Sequence, residues 1–114
     1  MKISKQEAEH YMWGGVCDGW HLVKTQGLSV IQERMPAGAA EIRHYHEVSR
    51  QFFYVLQGRL TLEVEGEVAV LGVQEGLEVA PHRPHQARND SLEDVEFLVI
   101  SQPTTRGDRI DLNE

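Results

Sequence analysis

The sequence predicts an all-β protein, and three observations support that prediction. Glycine and proline interrupt the chain every few residues, from Gly14-Gly15 through Gly58 and Gly66 to Pro81. The segments between them are short and rich in β-branched or aromatic residues, and no helix-length segments alternate with them. Many short strands at near-regular spacing are typical of an antiparallel barrel or sandwich.

One short helix and about nine strands are predicted in chain order. Residues 4–13 predict an amphipathic helix, because Ser4 can cap the first amides and Glu7 holds the capping-box position. The tail from Pro103 is turn-rich, and Arg106-Gly107-Asp108 is interpreted as a surface turn. The strands are expected near residues 20–25, 28–35, 40–46, 50–57, 59–64, 67–71, 76–80, 85–89 and 93–101.

The segment from residue 60 to 70 is the clearest hairpin. Leu60, Leu62 and Val64 alternate with polar residues, and Gly66 makes the turn. This alternation predicts one buried and one solvated face.

Two other strands, 52–56 and 97–100, are apolar on both faces. A strand that faces water on one side alternates, so we expect a second sheet or a partner subunit to cover the outer face. We therefore predict a homodimer in which Phe52, Tyr54 and Leu56 meet a second copy of the chain.

Composition and charge limit the classes of function. The 114 residues are 40% hydrophobic and 25% charged, which suits one globular domain over residues 1–114, with a helical lead-in at 1–13 and barrel motifs at 28–101. Eleven Lys and Arg against eighteen Asp and Glu give a net charge of −7. This balance argues against partners such as nucleic acid or anionic membranes, and no apolar run approaches the ~20 residues that span a bilayer.

The amino terminus and the single cysteine predict a cytoplasmic location. The first residues lack the apolar segment of a secretion signal, and one cysteine cannot form an intramolecular disulfide. We interpret Cys17, which lies in a glycine-flanked turn, as a buried or idle thiol.

Four of the six histidines lie in two short segments, at positions 44, 46, 82 and 85. His44 and His46 are one residue apart on a predicted strand, so both imidazoles project from the same face and can reach one metal ion. Ile42 precedes them on that face and is expected in an apolar lining. From spacing alone, a metal site and a pair of hydrogen-bonded histidines remain equally open.

A third and a fourth candidate ligand come from other strands. Gln51 shares one face with Phe53 and Val55, and its carbonyl oxygen becomes available if that face is the barrel interior. His85 lies far away in sequence, with Ala87 on its own face. The resulting set is three neutral nitrogens and one neutral oxygen.

Two stretches resemble the conserved motifs of the cupin superfamily. Residues 38–51, Gly-Ala-Ala-Glu-Ile-Arg-His-Tyr-His-Glu-Val-Ser-Arg-Gln, followed by Gly58, match the spacing of the first motif: Gly, five residues, His-x-His, three or four residues, Glu, six residues, Gly. The second motif, in which a His precedes an Asn by four residues, resembles Ala80-Pro-His-Arg-Pro-His-Gln-Ala-Arg-Asn89. The resemblance extends from about residue 28 to 101.

The resemblance implies a small β-barrel, often dimeric, that holds one divalent metal ion. Carried over by position, the ligands are His44, His46, Gln51 and His85. Gln51 replaces the usual Glu, which implies weaker binding and a more Lewis-acidic ion. His82 stands where the family usually has Gly, and it is a rim residue, an extra polar group at the site or, as we favour, a turn residue.

The substrate pocket is predicted to be mainly apolar, and its chemistry is predicted to depend on the metal. No Ser-His-Asp or Cys-His arrangement is apparent, and Glu33 and Arg34, the nearest acid/base candidates, are expected to be solvated surface charges. The predicted lining comprises Ile42, Phe53, Val55, Ala87 and His82.

Three functional hypotheses remain open. The first is an enzyme that uses one divalent ion (Fe, Mn, Ni, Co or Zn) on a small organic substrate, with oxygenase, isomerase or cyclase type chemistry. The second is a non-catalytic small-molecule-binding or sensor protein with a structural or absent metal, and the third is a vestigial cupin whose histidines only pack. The fold alone does not choose among them.

Overall fold

A computed structural model describes residues 1–112 of the chain, and the fold is all-β, as predicted. Eleven strands lie within this range: β1 Glu9–Trp13, β2 Cys17–Lys24, β3 Ser29–Met35, β4 His44–His46, β5 Arg50–Gln57, β6 Leu60–Val64, β7 Glu67–Leu71, β8 Gly76–Val79, β9 His85–Arg88, β10 Val95–Gln102 and β11 Arg109–Asp111. They form an antiparallel sheet in the order β1-β2-β3-β10-β5-β8 and a second in the order β11-β4-β9-β6-β7.

The predicted N-terminal helix is wrong. Residues 5–7 form one turn, in which the Ser4 carbonyl accepts two amide N–H groups, and β1 follows directly. All five residues of β1 pair with β2, and Tyr11 and Trp13 turn towards the interior. The capping residues at positions 4 and 7 therefore form a single turn and not a helix. Pairing with β2 and the strand preference of aromatic residues outweigh it.

The structure also shortens one predicted strand and adds one beyond the last prediction. The strand expected at 40–46 is regular only from His44, because Ala40 forms an isolated bridge and residues 41–43 are irregular. The tail contains the turn at Arg106 and Gly107, but β11 follows it and pairs with β4.

The strand register gathers polar side chains at one end of the interior. In the six-stranded sheet, Ser101 of β10 pairs with Gln51 of β5, and the next inward-facing pair is Val99 with Phe53. In the five-stranded sheet, His44 of β4 pairs with His85 of β9. The polar residues therefore lie above an apolar layer that both sheets supply.

The hydrophobic core packs the two sheets face to face. Its largest fully buried apolar side chains are Phe97, Met35, Leu60 and Leu62, which come from both sheets. Cys17 is 1% exposed and belongs to this core, and burial raises the pKa of its thiol. The interpretation of Cys17 as a buried thiol is confirmed.

The outer face of β5 is open to solvent. Phe52 and Leu56 are 39% and 38% exposed, and Tyr54 between them is half-buried. Residues 1–112 thus do not supply the cover predicted for this face. Within the same range, no helix has the length and apolar character needed to cross a bilayer.

Candidate metal centre

Three buried histidines converge on one point in the interior. His44 and His46 project from the same face of β4, as their spacing predicts, and His85 of β9 lies opposite His44 in the register. The potential ligand atoms of the three residues all lie within 4.8 Å of one another. The side chains are 1–4% exposed, so they form a compact group of nitrogens that can hold a metal ion.

Hydrogen bonds fix the tautomer of each imidazole. The Nδ1 atoms of His44, His46 and His85 lie 2.8, 2.8 and 2.9 Å from the backbone carbonyl oxygens of Ile42, Asp108 and Arg83. A carbonyl oxygen only accepts, so each Nδ1 carries the proton and each Nε2 presents a lone pair. This is the arrangement of metal-binding histidines, whose second nitrogen is anchored by a hydrogen bond.

The side-chain carbonyl oxygen of Gln51 lies beside these histidine nitrogens. Its Nε2 donates to the Ser101 hydroxyl at 3.2 Å, and its Oε1 lies 3.2 Å from Nε2 of His85. With the proton of His85 on Nδ1, that contact joins two acceptors. The buried Nε2 of His46 has no hydrogen-bond partner within residues 1–112. A cation at this point would satisfy all three groups at once.

The three histidines are neutral near pH 7. Burial lowers the pKa of His44 to about 3 and that of His85 to about 4, and it lowers the pKa of His46 as well. In each case the Nδ1 hydrogen bond opposes burial but does not overcome it. The lone pairs that a metal needs are therefore available over the whole neutral range.

Of the five residues predicted to line the substrate pocket, only one lines the cavity beside the histidines. Ile42 is 55% exposed, so its placement in the lining is wrong: the strand begins only at His44, and alternation does not extend back to it. Phe53 does line the cavity, with its ring 6.0 Å from that of His85, whereas Val55 and Ala87 are buried in the core. The lining does not include His82.

His82 lies in a turn, as favoured from the sequence. Its side chain is exposed, its φ is +67°, and its amide donates to the His46 carbonyl at 2.7 Å. A glycine would adopt this left-handed backbone more easily, which is consistent with glycine being usual at this position of the motif. The residue acts here through its backbone.

The cavity beside the histidines has a volume of about 220 Å³ and is more polar than predicted. The lining residues that the sequence did not predict include Tyr11, Trp13, Glu33, Glu41 and Arg109. One signal was present for Glu33: it lies between Ile31 and Met35 in an i, i+2 series, so it faces the interior with them. The expectation that Glu33 is a solvated surface charge is wrong.

Glu33 is held at the cavity wall by Tyr11. The Tyr11 hydroxyl donates to Oε2 of Glu33 at 3.3 Å, and burial, with a smaller effect of the Glu41 carboxylate, raises the pKa of Glu33 to about 8. Gly19 lies between the two, opposite both in the register. A Cβ at Gly19 would overlap the Tyr11 ring. Because Gly19 has no side chain, the Tyr11 ring can lie across β2 and reach Glu33 on β3.

Glu41 forms the other acidic part of the wall. Its Oε2 accepts the Ala87 amide at 2.9 Å, and its Oε1 lies 3.8 Å from the Arg109 guanidinium. Burial raises the pKa of Glu41 to about 7, although the Ala87 hydrogen bond and Arg109 oppose it. Two carboxyl groups of elevated pKa therefore line the cavity that the histidines face.

Comparison with known proteins identifies the fold. Residues 31–101 match the Cupin_2 family model, described as a cupin domain. The chain belongs to the cupin family. This cupin is 32% identical over 69 residues to "Polyketide synthase CurC" of Streptomyces cyaneus, a match that covers 60% of this chain and 45% of that protein. The aligned part thus spans less than half of the curated relative.

Solved structures resemble this cupin over most of its length. KdgF from Halomonas sp. has a TM-score of 0.81 and 23% identity, with 89% of this chain and 91% of that chain covered. An RmlC-like cupin from Shewanella frigidimarina has a TM-score of 0.83 and 22% identity, with 92% of each chain covered. At these identities the likeness establishes the fold.

Proposed function

We propose that this cupin is a metal-dependent enzyme that acts on a small organic molecule through one divalent ion held by His44, His46, Gln51 and His85. The observation that supports it most is the convergence of Nε2 lone pairs whose opposite nitrogens are tied to backbone carbonyls. Imidazole and amide ligands suit Fe, Mn, Ni, Co or Zn. All four donors are neutral, so an ion keeps its full charge when it binds.

The reaction best matched to this cavity is proton transfer next to a carbonyl, as in isomerase or cyclase chemistry. The ion supplies Lewis acidity that polarises a substrate oxygen. The name of the curated relative, a polyketide synthase, is in keeping with a carbonyl-bearing substrate. Oxygenase chemistry is the other proposed class, and it needs no proton carrier on the wall.

Glu33 is the proposed proton carrier. As a carboxylate it accepts a proton from a substrate carbon, and as the neutral acid it returns that proton to another atom of the same substrate. The Tyr11 hydroxyl donates to the carboxyl and fixes its orientation. A carboxyl group with a pKa near the working pH can hold either state, which a solvated glutamate at pH 7 cannot do.

A non-catalytic sensor is the second candidate, and Gln51 favours it. An amide in place of a carboxylate weakens the binding of a divalent ion, so the metal would be present only conditionally. Metal-dependent turnover of a carbonyl substrate would exclude this role. Recovery of a bound small molecule unchanged from purified protein would support it.

The metal assignment is tested by elemental analysis and an anomalous X-ray scan of protein purified from metal-rich medium. The expected result is about one divalent ion per chain, with the anomalous peak within bonding distance of Gln51 Oε1. His46→Ala should remove the ion, and His82→Ala, which alters an exposed histidine outside the cavity, should retain it. Folded wild-type protein without metal would overturn the proposal.

The proposed assembly is a homodimer in a reducing cytoplasm. The exposed Phe52 and Leu56 side chains on the outer face of β5 form the proposed contact with a second copy. The buried, unpaired Cys17 is compatible with a reducing compartment.

A further inference from the structure

A second cavity, of about 500 Å³, adjoins the metal cavity. Both cavities are lined by Tyr11, Ile31 and Thr105, so these three residues form the boundary between them. A ligand that extends past this boundary occupies both spaces. At about 220 Å³, the metal cavity alone is smaller than the roughly 300–1,000 Å³ of a typical small-molecule site.

The second cavity is basic, in a chain whose net charge is −7. Its lining carries Lys24 and Arg106, together with His21. Burial lowers the pKa of His21, and the positive charges of Lys24 and Arg106 add to this effect while Glu9 opposes it. The two cations therefore lie within electrostatic range of His21. Among the residues that the structure describes, the lining holds no Asp or Glu, so this cavity presents positive potential to a ligand.

The cationic groups of this cluster are only partly compensated. Lys24 pairs with Glu9, an exposed carboxylate, at 3.1 Å. Arg106 forms no salt bridge of its own within residues 1–112, but it lies within electrostatic range of the same Glu9: the Lys24 hydrogen bond and charge, and to a smaller extent the Arg106 charge, lower the pKa of Glu9. One carboxylate thus faces two cations, which leaves a net positive charge at the cavity wall, and the planar guanidinium of Arg106 suits carboxylate and phosphate.

We propose that the substrate of this cupin carries an anionic group, a carboxylate or a phosphate, that binds Arg106 and Lys24 in the second cavity while its carbonyl end reaches the histidines. This inference rests on the proposed function for the carbonyl end only. The anionic end of the substrate binds at a distance from the reacting atoms. Thr105 and Tyr11 lie beside the part of the substrate that joins its two ends.

Calorimetry with zinc-loaded protein tests the proposal. The probes are alkyl hydroxamates of increasing chain length that end in a carboxylate, a phosphate or a neutral amide, because the hydroxamate binds the metal and the other end samples the cavity. At the best length, the anionic probes should bind about tenfold more tightly than the amide, since charge-assisted hydrogen bonds at a half-open site contribute on that order. The preferred anion distinguishes carboxylate from phosphate.

Variants assign the effect to the cluster. Lys24→Met with Arg106→Gln should abolish the advantage of the anionic probes and leave the affinity of the amide probe unchanged. Arg59→Gln, which removes an exposed arginine that lines neither cavity, should keep the advantage. Equal affinity of anionic and neutral probes at every length would overturn the proposal, as would an advantage that survives in the double variant.

A metal-free measurement separates this proposal from the proposed function. Inorganic phosphate is titrated into metal-free protein, and the imidazole signals of His21 are followed by nuclear magnetic resonance. Saturable shifts that disappear in the double variant support the anion site even if the histidines fail to load zinc. If zinc loads but neither phosphate nor the anionic probes respond to the cluster, the anion site is wrong and the metal assignment remains.

Discussion

Replacement of Glu33 by glutamine should make the protein more stable above about pH 4.5, by an amount that grows as the pH rises to about 8. Glutamine has nearly the same shape, can still accept from the Tyr11 hydroxyl and never ionises. In the wild type, the Glu33 carboxyl ionises near pH 4.5 in the unfolded chain and near pH 8 in the folded one. Between these values the folded state holds one more proton, so the free energy of unfolding falls as the pH rises.

The size of this effect follows from the two pKa values. They differ by about 3.5 pH units, and each unit corresponds to about 1.4 kcal/mol, so the wild type loses up to about 5 kcal/mol through this one carboxyl by pH 9. Glu33→Gln should match the wild type near pH 4 and exceed it by that amount near pH 9.

Urea denaturation of metal-free protein measures the difference. The free energies of unfolding of the wild type and Glu33→Gln are compared from about pH 4 to about pH 9, with chelator present throughout. Glu67→Gln, which removes an exposed carboxylate, serves as the control and should show no such pH dependence. If the stability difference between Glu33→Gln and the wild type changes by less than ~1 kcal/mol over this range, Glu33 is solvated and the reasoning fails.

Three other changes have defined outcomes. Gly19→Ala should displace the Tyr11 ring, because the new Cβ overlaps it, and lower the free energy of unfolding by about 1–3 kcal/mol in chemical denaturation; unchanged stability would contradict the close approach. Zinc at about 100 times its dissociation constant should stabilise the wild type by about 2.7 kcal/mol and leave His46→Ala unaffected, as measured by thermal melting; equal shifts in both would place the zinc elsewhere. Sedimentation at micromolar concentration should show a dimer that Phe52→Ser with Leu56→Ser converts to a monomer, and a monomeric wild type would reject the dimer.

The sequence was informative where the pattern is local and repeats along the chain. The alternation around His44 and His46 predicted correctly that both face one point, and the motif resemblance brought His85 and Gln51 to the same place. These residues lie on regular strands, so periodicity of two is enough to orient them.

The errors come from residues whose position depends on distant partners. The segment 9–13 carries a helical capping signal, but pairing with β2 decides its structure. Ile42 precedes the strand by two residues, so alternation does not apply to it. Glu33 could be oriented from its own strand, yet its elevated pKa depends on burial and on Glu41, which no local pattern contains.

The hydrogen bonds around Asp108 make the metal centre and the C-terminal segment thermodynamically dependent on each other. The Asp108 carbonyl accepts from His46 Nδ1, and its carboxylate accepts the amides of Glu47, Val48 and Ser49. An ion that favours the anchored imidazole therefore favours the docked β11, and by reciprocity a docked β11 raises the affinity for the ion by the same factor. Metal should accordingly slow amide hydrogen exchange in β11, and a variant that frees this strand should release metal without losing a single ligand.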